Sequence, residues 1–109
     1  LPEATVLIGQ SALPKERHLF AFAIYEGYLF VHGGKSNGYQ WDLWRLHLDR
    51  LEWSEIKVAH GAVAVYGHTA VAFDKYMYLF GGYDNHGFFQ RSILLQFSLP
   101  APPPAAPAQ

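Results

Sequence analysis

The chain of 109 residues contains no cysteine. It therefore forms no disulfide, no thiolate zinc site and no cysteine nucleophile. The net charge is −1, with Lys+Arg 8 against Asp+Glu 9 and no basic stripe, so we expect neither nucleic acid nor a membrane as a partner. The longest apolar stretch, residues 19–25, falls far short of the roughly 20 residues that span a bilayer. With no signal peptide in this sequence, these absences favour a cytoplasmic or nuclear location.

Charged residues are also scarce, at 16% of the chain against a usual level of about 25%. Hydrophobic residues make up 50% and aromatic residues 17%, which is enough for an apolar core. A chain with so few charges has little polar surface to present to water. We therefore expect part of its surface to be covered by other protein.

A block of aromatic and aliphatic residues that ends in two glycines occurs twice. Residues 21–34 (AFAIYEGYLFVHGG) match residues 69–82 (TAVAFDKYMYLFGG) at a step of 81 − 33 = 48 residues. Self-similarity at a period of roughly 20–50 residues indicates a repeat architecture. A short polar break divides each block into two β-prone runs, which predicts a β-hairpin in each copy.

The residues after the first block predict two more strands, at 43–48 and 51–58, because apolar and polar residues alternate with period two. In the second copy, residues 93–99 predict the third strand, and prolines follow at once, so this copy lacks its own fourth strand. Residues 4–10 lie 48 positions before 52–58 and predict a strand of the fourth type.

Four strands per period, with a double glycine after the second and a tryptophan in the fourth, resemble the kelch repeat, one blade of a β-propeller. The resemblance covers roughly residues 13–99. Pro14 and Arg17 stand where the family tends to carry those residue types, whereas Phe20 stands at the position equivalent to His68. The residues that carry the resemblance are Gly33-Gly34, Asp42-Leu43, Trp53, Gly67-His68-Thr69 and Gly81-Gly82.

The expected fold is all-β, with two four-stranded antiparallel kelch-type blades in a permuted frame. We divide the chain into an N-terminal strand (1–12), a first blade (13–58), a second blade without its own fourth strand (59–99) and a Pro/Ala-rich tail (100–109). Because a propeller closes with about 4–8 blades, further blades must come from a longer chain, from copies of this chain or from another subunit. We expect residues 4–10 to pair with the third strand of a final blade rather than with the first blade.

The sequence offers candidates for structural roles but none for a catalytic or metal site, and we expect no cofactor. The six histidines form no recognised metal motif, and the double glycines continue into no phosphate-binding motif. We expect His68 to bond the backbone of an adjacent turn, His32 to be a strand-end side chain, and Trp44 and Trp53 to pack between blades. The residues to which we assign structural roles are Gly33, Gly34, Trp53, His68, Gly81 and Gly82.

The loops that follow the second strand of each copy, residues 35–41 and 83–91, are the candidates for partner binding, because rigid strands present variable loops. Aromatic and arginine side chains are the types that anchor protein interfaces. An alternative is that Tyr39 and Phe88 fold back to cover the blade, whereas Trp41 is expected to be exposed. The candidate residues are Tyr39, Trp41, His86, Phe88, Phe89 and Arg91.

The resemblance implies a non-enzymatic protein-interaction or scaffolding module with protein partners. One alternative is a fragment of a propeller enzyme, of the oxidase or the sugar- or small-molecule-processing type. The related copper oxidases need a cysteine cross-linked to a tyrosine, and this chain has no cysteine. Another alternative is a purely structural subunit of a large complex.

Overall fold

The computed structural model describes residues 4–6, 13–58, 64–84, 87–88 and 95–98. These residues form antiparallel strands and turns with no helix, so the prediction of an all-β chain is confirmed. No described residue belongs to a helix that is long and apolar enough to cross a membrane. In chain order the strands are β1 (Ala4–Val6), β2 (Ala21–Tyr25), β3 (Tyr28–Lys35), β4 (Tyr39–His47), β5 (Glu52–Val58), β6 (Thr69–Phe73), β7 (Tyr76–Phe80), β8 (Tyr83–Asp84), β9 (Gly87–Phe88) and β10 (Leu95–Ser98).

The first sheet has the order β1-β5-β4-β3-β2, and the second has the order β10-β7-β6. We call residues 13–58 the first repeat and residues 64–84 with 95–98 the second. Each repeat opens with the predicted hairpin, and both turn residues have positive φ: 52° and 79° at Glu26 and Gly27, 51° and 70° at Asp74 and Lys75. This is the backbone that a two-residue type I′ turn requires. The sequence repeat is therefore also a repeat of conformation.

Strand β4 begins at Tyr39, earlier than the alternating pattern predicted. The reason is that β3 continues through its double glycine to Lys35, which pairs with Tyr39 and leaves only residues 36–38 as a loop. A β-bulge follows, where the register shifts between the pairs His32–Leu43 and Gly34–Gln40. Tyr39 and Trp41 therefore lie on a strand and not in the predicted loop. A β-bulge changes the direction of the side chains beside it.

Strand β1 lies on the outer edge of the first repeat, where Val6 pairs with Ile56 of β5. The expectation that residues 4–10 would leave the first blade and complete a final blade is wrong for the strand that the structure describes. An edge strand offers unpaired backbone groups to any nearby extended segment, and β5 offers them to β1. In the second repeat, β10 is the outermost of the described strands.

The two sheets pack face to face. The front face of the first repeat carries Tyr28, Phe30, Leu43 and Ile56, and the rear face of the second carries Ala70, Ala72, Met77 and Leu79. These residues, with Tyr25, form the hydrophobic core. Burial of the large aliphatic and aromatic side chains among them contributes about 1.5–3 kcal/mol each. The core therefore lies between the repeats and needs both of them.

The tryptophans do not lie in this core. Trp44 is buried, but it pairs with Val31 on the rear face of the first repeat, which points away from the second. Trp53 pairs with Leu46 on the same rear face and is only half-buried. Trp44 and Trp53 therefore do not pack between these two repeats, and their expected packing between blades stays a prediction for a blade that would lie on the rear face. The period-two pattern assigns a side chain to one of two faces, but it does not say which face meets the neighbour.

Candidate partner-binding surface

Three of the predicted partner-binding residues lie in the described part of the chain. Tyr39 begins β4 and is half-buried, Trp41 lies at the bulge with 58% of its surface exposed, and Phe88 pairs with Tyr83 between β8 and β9. The expected exposure of Trp41 is confirmed. His86, Phe89 and Arg91 lie outside the described residues.

Tyr39 belongs to a row of three tyrosines that spans both repeats. Its ring centroid lies 5.0 Å from that of Tyr66, and Tyr66 stacks on Tyr83 with centroids 5.3 Å apart and planes 22° apart. The Lys35 ammonium lies 5.2 Å from the Tyr66 centroid and 6.0 Å from that of Tyr39, within cation–π range. We call these four residues the tyrosine row. Tyr83 is 43% exposed, so the row reaches the surface.

Repeated backbone hydrogen bonds position the row. His18 and Lys35 exchange two backbone hydrogen bonds of 3.0 and 2.8 Å in the first repeat, and Tyr66 and Tyr83 exchange two of 3.0 and 2.9 Å in the second. These pairs are equivalent, since 66 − 18 and 83 − 35 are both 48. The backbone nitrogen of Gly34 also donates to the Val65 carbonyl across the two repeats, at 2.8 Å. These hydrogen bonds hold the backbone that carries the row in place.

The chemistry of the row suits recognition of protein side chains. Tyrosine rings offer apolar area with little side-chain entropy to lose, and each hydroxyl is both donor and acceptor. Partial desolvation and the neighbouring Tyr39 raise the pKa of Tyr66, so its phenol stays protonated near neutral pH. Lys35 adds one positive charge beside the rings. The row therefore combines stacking surface, hydroxyls and one cation.

An ion pair fixes the strand that carries Tyr39 and Trp41. Arg17 donates to both carboxylate oxygens of Asp42, at 2.6 and 2.8 Å, and to the Gly33 carbonyl at 3.1 Å, while Trp44 Nε1 donates to Asp42 at 2.7 Å. Although desolvation acts to raise the pKa of Asp42, the hydrogen bonds from Arg17 and Trp44 hold it below its ordinary value. The carboxylate is therefore charged and bound on both oxygens beside the bulge.

A histidine pair connects the repeats beneath this surface. Nδ1 of His32 and Nε2 of His68 are 2.9 Å apart, and both rings are buried. His32 is thus an interior residue and not the predicted strand-end side chain. The His68 ring contacts the His32 ring of the other repeat. Burial lowers the pKa of His32 to about 3 and that of His68 to about 4, and a backbone hydrogen bond at His32 also acts on the pKa of His68.

Two of the glycines assigned structural roles leave no room for a side chain, and one of them, Gly33, lies where the repeats approach each other closely. A Cβ on Gly33 would lie 2.6 Å from the Val65 carbonyl oxygen and 2.8 Å from Cε1 of His68. A Cβ on Gly82 would lie 2.8 Å from Cβ of His68. Real Cβ atoms do not approach other atoms so closely, so a side chain at Gly33 would force the two repeats apart, and one at Gly82 would displace the segment at the entry to its own repeat.

A groove of about 360 Å³ runs between the innermost strands of the two repeats and is lined by Phe20, Ala21, Phe22, His68, Thr69 and Ala70. Its lining is mostly apolar, and the ring of His68 is already hydrogen-bonded to His32. Within the described ranges, no three His, Cys, Asp or Glu side chains are grouped so that they could hold a metal ion. The tyrosine row therefore remains the better candidate for a binding surface.

No protein-family model matches this chain. The function is therefore inferred from the site itself. Sequence reasoning found Tyr39 and Trp41 but missed Lys35 and Tyr66. The 48-residue step could have pointed to them, because it aligns Lys35 with Tyr83 and His18 with Tyr66.

Proposed function

We propose that the chain is a pair of kelch-type propeller blades that acts as a non-enzymatic protein-interaction or scaffolding unit. The support for the family assignment is the order of its motifs, together with the matched positive-φ turns and double glycines in the two repeats. Protein partners are the commonest ligands that the resemblance implies, and a rigid sheet scaffold suits that role.

The observation that carries the proposed function is the tyrosine row with exposed Trp41 nearby on β4. Tyrosine and tryptophan are enriched among residues that contribute most to binding at protein interfaces. The rings of the row already pack against one another, so their side chains lose little freedom on binding. A partner segment would lay apolar or aromatic side chains over Tyr83 and Trp41 and place a carboxylate near Lys35.

The test is a selection from a phage-displayed library of random peptides on the immobilised chain. Enriched peptides are synthesised, and their affinities are measured for the wild type, for Tyr83→Ala and for Trp41→Ala. Leu51→Ala is the matched control, because Leu51 is 70% exposed and lies in the turn before β5, outside the row. Each truncation in the row should weaken binding at least tenfold, a change of about 1.4 kcal/mol.

The selection has two outcomes against the proposal. A library that yields no peptide above the level bound by a bare surface would contradict the binding function. Peptides that bind all four proteins with equal affinity would show that binding occurs away from the row. Circular dichroism of each variant checks that the sheet signal of the wild type is retained.

A further inference from the structure

Each repeat leaves one large apolar face uncovered by the other. On the rear face of the first repeat, Phe22 is 59% exposed and Ile24 is 65% exposed. On the front face of the second, Phe73 is 69% exposed, beside Val71 at 51%. Side chains this large rarely lie together in water unless they belong to an interaction site.

The core between the repeats shows what each uncovered face fits. In that core a front face, with Tyr25, Tyr28 and Phe30, meets a rear face, with Ala70, Ala72 and Met77. At the 48-residue step the uncovered front face carries Phe73, Tyr76 and Tyr78, and the uncovered rear face carries Phe22, Ile24 and Leu29. Each uncovered face is thus the counterpart of a face that the core already buries.

The histidine pair identifies a second copy of this chain as the complement. In the core, His32 on a front face meets His68 at the entry to the next repeat. The equivalent positions are Phe80 on the uncovered front face and Phe20 at the entry to the first repeat. Both positions carry phenylalanine where the core carries histidine, and the two rings are 40% and 39% exposed. Phe80 and Phe20 lie on opposite outer faces of one chain, so a contact between them requires a second copy.

We propose that the front face of the second repeat binds the rear face of the first repeat of another copy, so that copies associate head to tail. Phe80 of one copy then packs on Phe20 of the next, and Phe73 packs near Ile24. One contact of the core is not reproduced: the Tyr25 hydroxyl accepts a hydrogen bond from the Lys75 backbone nitrogen at 3.0 Å, and Phe73 has no hydroxyl. Apolar side chains are larger on the uncovered faces at four matched positions, where Phe80, Phe20, Phe22 and Ile24 correspond to His32, His68, Ala70 and Ala72 of the core.

Such a contact is heterologous, because the two surfaces that meet are different. Repetition closes a ring when the rotation between copies allows it and otherwise gives an open chain. The association uses the broad faces of the sheets, and of the tyrosine row only Tyr83 lies at its edge, since Tyr83 matches Lys35, which contacts Tyr66 across the repeats. The face variants that test the association substitute no residue of the row. Failure of the peptide selection therefore leaves this proposal standing, and the reverse also holds.

The test measures solution mass by sedimentation equilibrium at up to about 100 µM, well above the micromolar dissociation constants of weak interfaces. Phe73→Glu places a charge on the front face, and Ile24→Glu places one on the rear face. Both side chains are exposed, so neither substitution opens a cavity in the core. Leu51→Glu adds the same charge at an exposed turn and serves as the matched control.

We expect the wild type and Leu51→Glu to associate as concentration rises, and each face variant alone to stay at the mass of one chain. An equimolar mixture of Phe73→Glu and Ile24→Glu should reach the mass of two chains and stop there, because one intact front face and one intact rear face remain to meet. Three results would overturn the proposal: a monomeric wild type, a face variant that associates as the wild type does, or a mixture that stays monomeric. The second result would indicate a symmetric contact of like faces.

Discussion

His32 and His68 are joined across the two repeats by a contact of 2.9 Å between ring nitrogens, within the interior that the repeats share. Only one of the two nitrogens can carry the proton of that hydrogen bond, so the ring whose nitrogen accepts it is neutral. The Arg17 guanidinium also acts against a charge on His32, whereas Asp42 favours it, and desolvation outweighs both. The contact therefore requires at least one neutral ring, and burial favours the neutral form of both.

This pair makes stability depend on pH. Both folded-state pKa values, about 3 and about 4, lie below the ordinary 6.5. Below pH 6.5 the unfolded chain takes up protons that the folded chain does not bind, so the free energy of unfolding falls as the pH falls. We expect a loss of about 2–4 kcal/mol between pH 7 and pH 5, measured by urea unfolding.

The control for the pH prediction comes from the chain itself. The double variant His32→Phe with His68→Phe copies the residue types at Phe80 and Phe20, the equivalent positions. It removes both titrating rings, so most of the slope between pH 7 and pH 5 should disappear. A wild-type stability that is flat over this range would contradict the prediction, whether or not the double variant folds.

Arg17→Lys should destabilise the chain although the charge is kept. Arg17 holds both oxygens of Asp42, and its side chain is only 4% exposed. Lysine cannot reproduce the two parallel hydrogen bonds of a guanidinium. Because the Asp42 side chain is 20% exposed, we expect a loss of about 1–3 kcal/mol, below the 3–5 kcal/mol of a fully buried pair. Arg50→Lys, at an exposed turn position, is the matched control in the same urea experiment.

Lys75→Gly should stabilise the chain. Lys75 has φ of 70° in the β6–β7 turn, while the equivalent position in the β2–β3 turn is Gly27 with φ of 79°. A side chain in this region costs roughly 1–2 kcal/mol, and glycine regains part of that at the expense of unfolded-state entropy. We expect a net gain of about 0.5–1 kcal/mol in thermal or urea unfolding. The reciprocal variant Gly27→Lys should lose stability, and an equal effect of the two changes would contradict the assignment.

The sequence predicted the parts of this fold that local pattern controls. The double glycines and polar breaks located both hairpins, and alternation located β5. It did not predict that β1 would pair with β5, because an extended segment near two open edges can join either one. It also did not show which neighbour Trp53 packs against, because the period-two pattern assigns a side chain only to one of two faces. Burial of a face depends on the neighbour that covers it.

The candidate site was less accessible to sequence reasoning, for a related reason. Tyr39 and Tyr66 are 27 residues apart and His32 and His68 are 36 apart, so no local period connects them. They meet because the two repeats stack with a fixed offset. The 48-residue step aligns Lys35 with Tyr83 and Phe20 with His68. Once the packing of the repeats is known, this alignment shows which residues meet across them.

The last prediction separates close packing from backbone strain at two equivalent glycines. Gly33 and Gly81 have φ of 69° and 68°, so alanine meets the same backbone penalty at both, roughly 1–2 kcal/mol. A Cβ on Gly33 would lie 2.6 Å from the Val65 carbonyl, whereas a Cβ on Gly81 would meet no atom within 4 Å. In a single chain, Gly33→Ala should therefore lose at least about 1 kcal/mol more than Gly81→Ala, as overpacking typically costs 1–3 kcal/mol. Urea unfolding of both variants at low concentration gives the comparison, and equal losses would show that the repeats do not approach as closely at Gly33 as this packing requires.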